Sequence, residues 1–162
     1  MGFSVSASAA ILFTSILLMV STLYITWENT YYQVIDAKSY WYNLKESQLH
    51  FNAKISSLSA VDVDNDGLLD DLNVTFTYLG PPIDGTFDVI FDGGYNQTVN
   101  TYKYLIPNAE YSYTIINGVK DTNLHTVVQA FPNGCVLKFE YQYNGTVVNL
   151  LSESVYCPTE VS

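Results

Sequence analysis

Arginine is missing from this chain of 162 residues, and its six basic residues, all lysines, face sixteen acidic ones, giving a formal net charge of −10. Such a surface offers phosphate backbones and anionic headgroups little to grip, which excludes nucleic-acid binding. Charge of either sign is sparse at 14 % of residues. Histidine is nearly absent too: His50 and His125 stand alone, without a Cys-x-x-Cys or His-Glu-x-x-His motif, so a zinc site or a catalytic triad lacks its partners. A Gly-rich phosphate loop is also missing, and nucleotide use is not expected. Carboxylates are plentiful, but general acid catalysis needs a cleft and opposed environments that abundance does not supply. No catalytic residue is assigned, and the chain is not expected to be an enzyme. Glycine and proline are absent from residues 3 to 66, whereas all five Pro and eight of the nine Gly come later. The first part can therefore be one helix, and the second is rich in turns.

What is present begins with an apolar run. No charged side chain occurs from Met1 to Trp27, and as a helix the 25 residues from Phe3 to Trp27 extend about 37 Å, enough to cross a hydrocarbon core of about 30 Å with some tilt. Tyr24 and Trp27 stand where an interfacial aromatic belt belongs. A cleaved secretory signal has a basic n-region, and nothing basic precedes Lys38, so residues 1–27 are expected to be an uncleaved single-pass anchor. Neither flank has the Lys/Arg excess that fixes orientation. Acidity, two cysteines and three sequons point the remainder outward, to an extracytoplasmic position. Residues 28–50 place Tyr31, Val34, Ile35, Trp41, Tyr42 and Leu49 at rough helical spacing, with Asp36, Lys38, Lys45 and Glu46 between them, and predict a helical stalk. It can pack on the chain's own β domain or on a neighbouring subunit.

From residue 51 the period changes to two. Phe51, Ala53 and Ile55 alternate, as do Val74, Phe76 and Tyr78, then Phe87, Val89 and Phe91. Tyr111, Tyr113 and Ile115 follow, then Cys135, Leu137, Phe139, Tyr141 and Tyr143, with further candidates at 124–130 and 146–156. Turn signals separate them, including Asn65-Asp-Gly, Asp92-Gly-Gly and Asn144-Gly. Seven or eight short strands over residues 51–162 predict one β-sandwich. Cys135 and Cys157, at the start of one late strand and the end of the last, are either a disulfide or a pair of buried thiols. The sequons are Asn73-Val-Thr, Asn96-Gln-Thr and Asn144-Gly-Thr, glycosylation candidates of modest weight, since 13 Asn among so many Ser and Thr give about two by chance.

Two local patterns are sharper. Asp62-Val-Asp64-Asn-Asp66-Gly67-Leu68-Leu-Asp70 sets side-chain oxygens at positions one, three, five and nine of a tight loop, where they and the Leu68 carbonyl can turn toward a calcium ion. Position twelve is Asn73 rather than Glu, which argues against an EF-hand, and an Asx-stabilised turn without metal is the alternative. Leu105-Ile-Pro-Asn-Ala-Glu-Tyr111-Ser-Tyr113-Thr-Ile115 resembles the strand-entry signature of fibronectin type III and other immunoglobulin-like domains. That resemblance implies a tyrosine corner at Tyr111, its hydroxyl turned back onto the backbone; an ordinary buried tyrosine is the alternative.

The opening Met1-Gly-Phe-Ser-Val-Ser-Ala-Ser-Ala-Ala10, running directly into an apolar helix, resembles the start of the archaellum F protein family, as does the plan of anchor, stalk and one sandwich. The resemblance implies an immunoglobulin-like domain in the pseudoperiplasm of an archaeal cell. It further implies binding to the S-layer protein, dimerisation, and a role as stator beside the other motor proteins of the archaellum. No catalytic residue or cofactor comes with it. Two other readings stand beside it. A type IV pilin-like filament subunit shares the plan, but its short basic leader has no counterpart before Gly2. A membrane-tethered extracellular binding module could use the 14 tyrosines as a platform.

Overall fold

A computed structural model describes residues 2–63 and 67–158, with residues 2–6 as backbone only. The chain divides into two compact units, Met1–Asn43 and Leu44–Ser162. A single helix, α1 (Gly2–Leu49), fills the first unit and enters the second with its last turn. With no Gly or Pro after Gly2, nothing interrupts its hydrogen-bond ladder. Among the described residues it is the one helix long and apolar enough to cross a membrane. Its hydroxyls are compatible with that setting because the helix satisfies them itself. Thr14 donates to the Ala10 carbonyl at 3.0 Å, Ser15 to Ile11 at 2.8 Å, Ser21 to Leu17 at 2.9 Å and Thr26 to Thr22 at 2.8 Å.

The second unit is antiparallel β-structure of ten strands: β1 (Ala53–Val61), β2 (Asp71–Tyr78), β3 (Ile83–Asp84), β4 (Phe87–Phe91), β5 (Gly94–Val99), β6 (Tyr104–Leu105), β7 (Ala109–Ile115), β8 (Leu124–Ala130), β9 (Val136–Tyr143) and β10 (Val148–Tyr156). One sheet has the order β1-β2-β7 and a second β10-β9-β8-β4-β5, while β3 and β6 form a small third pair. Buried side chains of the two larger sheets belong to one core, a sandwich-like arrangement. The alternating sets expected to face inward do so, except that Phe91 and Tyr143 are only half-buried. The short β3, β5 and β6 were not anticipated, since they carry little or no alternation of their own. Residues Asp92 and Gly93 both have positive φ, 48° and 81°, which gives the β4–β5 hairpin the twist that its two strands need.

Aromatic rings fill the centre. Phe131 lies 4.8 Å from Phe51 and 5.5 Å from Phe87, and Phe76 meets Phe87 edge-on at 5.5 Å. Beside them the end of α1 is tied to the β8–β9 turn: Gln48 Nε2 donates to the Asn133 carbonyl at 2.7 Å, and Asn133 Nδ2 returns a bond to the Ser47 carbonyl at 3.3 Å. Cys135 and Cys157 are joined by a disulfide across neighbouring strands, with Cα atoms 4.1 Å apart.

Two outcomes follow. Replacing both cysteines by Ser should cost about 3 kcal/mol on the chain-entropy account, read as a lower denaturation midpoint. Alkaline titration should show late tyrosines. Burial first, and the neighbouring Tyr111 second, push Tyr78 up to about 12, and burial also raises Tyr113 and Tyr141. A raised folded-state pKa contributes stability that is complete below the ordinary tyrosine value near 10. That contribution is lost as pH climbs through about 12, so unfolding and the last phenolate absorbance should rise together.

Candidate functional site

The β9–β10 turn marks the end of the β unit remote from the disulfide. The loop after β1 and the loop after β7 meet near it, and one buried carboxylate holds them. Asp71, fully buried at the start of β2, accepts the Val63 N–H on Oδ2 and the Asn117 N–H on Oδ1, both at 2.8 Å. A second tie runs from the Val119 N–H to the Asp70 carbonyl at 2.8 Å. The Tyr141 hydroxyl donates to the Gly118 carbonyl from within the core. Gly118 has no room for a side chain, because a Cβ there would stand 2.6 Å from Cβ of Leu72.

The frame so built carries apolar side chains into solvent. Leu68 and Leu69 are each 60 % exposed, and with Asp70, Val119, Lys120 and Tyr143 they line an open groove. Val63 and Ile116 are exposed in the same two loops, and Val147 in the turn beside β10. Leu150 and Leu151 continue the apolar surface onto β10 itself, of which only Val148 is buried. The end is thus a concave aliphatic surface set beside charged residues, Asp62, Asp70 and Lys120 among them, and exposed apolar side chains gathered in this way suit a contact surface.

Of the residues expected to hold calcium, Asp62, Leu68 and Asp70 belong to this end, while Asp64 and Asp66 lie outside the described residues. Asp62 Oδ2 accepts the Gly67 N–H at 3.1 Å, and Gly67 has φ +89°. That bond closes the loop over five residues, a longer span than the two of an Asx-turn. Among the described residues no three His, Cys, Asp or Glu side chains gather as a metal-binding group. Tyr111 opens β7, where its hydroxyl accepts the Ile106 N–H at 2.7 Å and donates to the Tyr104 carbonyl at 3.3 Å. Of the sequons, Asn96 and Asn144 are exposed, and Asn73 is half-buried on β2, the middle strand of its sheet.

Sequence reasoning passed over three features. Asp71 reads as one more acid in an acidic run, and only the strand start, which turns it inward, gives it its role. His125 reads as a lone histidine, yet its Nδ1 lies 2.8 Å from Asp92 Oδ2 and its Nε2 3.1 Å from Asp121 Oδ1. Its ring also lies 5.3 Å from Phe91 and 5.4 Å from Tyr141. It thereby ties the β4–β5 turn to the β7–β8 loop. The third is protection of the free edge of β7: the Tyr102 hydroxyl donates to the Ser112 carbonyl at 2.8 Å and accepts its N–H at 3.1 Å, and Gln97 Nε2 donates to the Thr114 carbonyl at 2.7 Å. Side chains there stand in for a further strand.

Comparison with protein-family models, with curated proteins and with solved structures finds no match to this chain.

The frame makes a measurable prediction. Asp71→Ala leaves two N–H groups without their acceptor and should cost about 3 kcal/mol. Gly118→Ala should cost about 1–3 kcal/mol through overpacking against Leu72. Denaturant titration of each variant reads the cost, and an unchanged midpoint for Asp71→Ala would show that the carboxylate does not hold the loops.

Proposed function

We propose that this chain is a membrane-anchored attachment protein whose β unit binds a protein lattice outside the cell. In the form that the resemblance to the archaellum F family implies, it is a stator component that holds the archaellum motor against the S-layer. The observation that carries the reading is a helix long and apolar enough to cross a membrane, followed in the chain by an antiparallel β unit with an exposed aliphatic cluster at one end. The disulfide suits an oxidising exterior.

The finer fold reading, an immunoglobulin-like sandwich, is supported by strand order. β1-β2-β7 opposite β9-β8-β4-β5 follows the A-B-E and G-F-C-C′ pattern, with β10 added at the outer edge. Tyr111 then begins the equivalent of strand E, one strand earlier than the corner tyrosine of immunoglobulin-like domains. Its bonds to the backbone five and seven residues upstream are of the corner kind.

A stator has to resist torque. A helix in lipid gives little resistance to being dragged sideways, and a second attachment to a rigid lattice supplies it. The reading assigns the chain no catalysis, and dimerisation would add avidity by raising effective concentration at the lattice. Leu68 and Leu69 are the residues to test, because they are the most exposed aliphatic pair at the apolar end.

The full chain should remain with membranes after carbonate extraction. Its β unit, Leu44–Ser162, should co-sediment with isolated S-layer sheets. Leu68→Asp combined with Leu69→Asp should reduce that co-sedimentation about tenfold or more, the loss of 1.4 kcal/mol or above that two desolvated aliphatic anchors represent, while leaving the thermal transition in place. A β unit that ignores the sheets would overturn the lattice reading and favour the filament-subunit alternative.

A further inference from the structure

His125 is held in a way that a neutral imidazole cannot satisfy. Its Nδ1 lies 2.8 Å from Asp92 Oδ2 and its Nε2 3.1 Å from Asp121 Oδ1, so both ring nitrogens face carboxylate oxygens, which only accept. A neutral ring has one N–H and one lone pair. It can donate to one of these carboxylates, and it then turns its lone pair on the other. The imidazolium donates to both.

The surroundings accommodate the cation. The ring lies 5.3 Å from Phe91 and 5.4 Å from Tyr141, tilted by 30° and 32°, and aromatic faces attract positive charge. Burial works against charge, since the His125 side chain is 11 % exposed. Asp92 and Asp121, however, are 43 % and 50 % exposed, so the ring nitrogens open toward water and that cost is moderated. The titratable groups facing the ring are Asp92 from the β4–β5 turn, Asp121 from the β7–β8 loop and Tyr141 from β9. Burial first, and then the two carboxylates, push the Tyr141 phenol upward, so it stays neutral while the ring titrates.

The two arms of the contact differ. Asp92 is fixed to β8 twice: its N–H donates to the Thr126 carbonyl at 2.9 Å, and its Oδ1 accepts the Thr126 N–H at 2.8 Å. Besides the ring, Asp121 Oδ1 accepts the Asn123 N–H at 2.7 Å, a bond inside its own loop. His125 is therefore what ties this carboxylate to the sheet, and the next tie is Gln142 Nε2, which donates to the Thr122 carbonyl at 2.8 Å. When the ring gives up one proton, the other belongs on Nδ1, which has the shorter bond and the fixed partner. Nε2 then meets Asp121 with a lone pair and repels it. The segment so released adjoins Val119 and Lys120, which line the apolar groove.

We propose that His125 is a proton-operated latch. As imidazolium it closes the β7–β8 loop onto the β4–β5 turn, and on deprotonation it lets go of Asp121 and loosens the loop beside the groove. The latch is complete in acid and opens as pH rises through the titration of the ring. Its lower limit lies with the carboxylates. The Asn123 N–H chiefly, with His125 adding to it, holds the Asp121 carboxyl below the usual range. A lowered carboxyl contributes stability above the ordinary Asp value near 4 and loses it as pH falls through the lowered value.

The test uses the full chain in detergent micelles, with His50→Gln so that His125 is the one histidine left. Nitrogen-15 NMR of the ring, from about pH 5 to about pH 8, should show both nitrogens protonated in acid and the Nδ1–H form above the titration, where a free imidazole prefers Nε2–H. Hydrogen exchange of residues 120–123, corrected for its intrinsic pH dependence, should speed up several-fold across the same titration, and that of β8 should not. Asp121→Asn offers the ring a group that can donate or accept. It should abolish the step in exchange and move the ring titration about one pH unit toward acid. A ring neutral throughout, an Nε2–H form above the titration, or exchange that does not follow it would overturn the proposal. No lattice enters these measurements, so failure of the latch and failure of the attachment reading are distinguishable.

Discussion

Closure of two sheets over one aromatic centre is the interaction on which the β unit depends. Phe131 sits in the β8–β9 turn, outside any strand, yet it touches Phe51 at the entry to β1 and Phe87 on β4. Phe76, on the opposite sheet, meets both Phe87 and Phe131. One side chain thus fixes the spacing of the sheets and the place where the helix hands over to the strands. The Gln48–Asn133 bonds can form because Phe131, two residues before Asn133, is held in the core.

Much of this was legible in the sequence for reasons that can be named. The absence of Gly and Pro from 3 to 66 foretold an uninterrupted helix, and alternation at Val74, Phe76 and Tyr78 foretold which faces are buried. Where alternation is strong, propensity and burial agree, and reading is direct. The apolar end was not legible. Leu68 and Leu69 look like ordinary strand or core residues, and nothing local reveals that Asp71 and Gly118 lock their loop in a place where burial is out of reach. Long-range partners decide such cases: Asp71 and Asn117 are 46 residues apart. The Asp-rich loop shows the converse. Its spacing suits a cation and a turn equally, and the residues that would separate the two include Asp64 and Asp66, outside the described part of the chain.

The two units satisfy their polar side chains differently. In the first unit, hydroxyls bond within their own helix, so that these polar side chains would add no unsatisfied group if the helix crossed a membrane. In the second, side chains reach across elements: Glu153 on β10 accepts the Ile55 N–H of β1 at 2.9 Å, joining the outer edges of the two main sheets. An inward-leaning carboxylate at that place also makes the edge a poor template for pairing with a stranger.

The bond between Cys135 and Cys157 has a kinetic side. β10 buries one residue of nine, so it is a strand expected to loosen early. The bond shuts the open mouth of the β9–β10 hairpin, and the turn at Asn144 shuts the other. Strand β10 is therefore the far side of a covalent ring. Peeling it away from β9 under a pulling force is blocked by a bond rather than resisted by weak contacts, and mechanical failure of the unit has to start elsewhere.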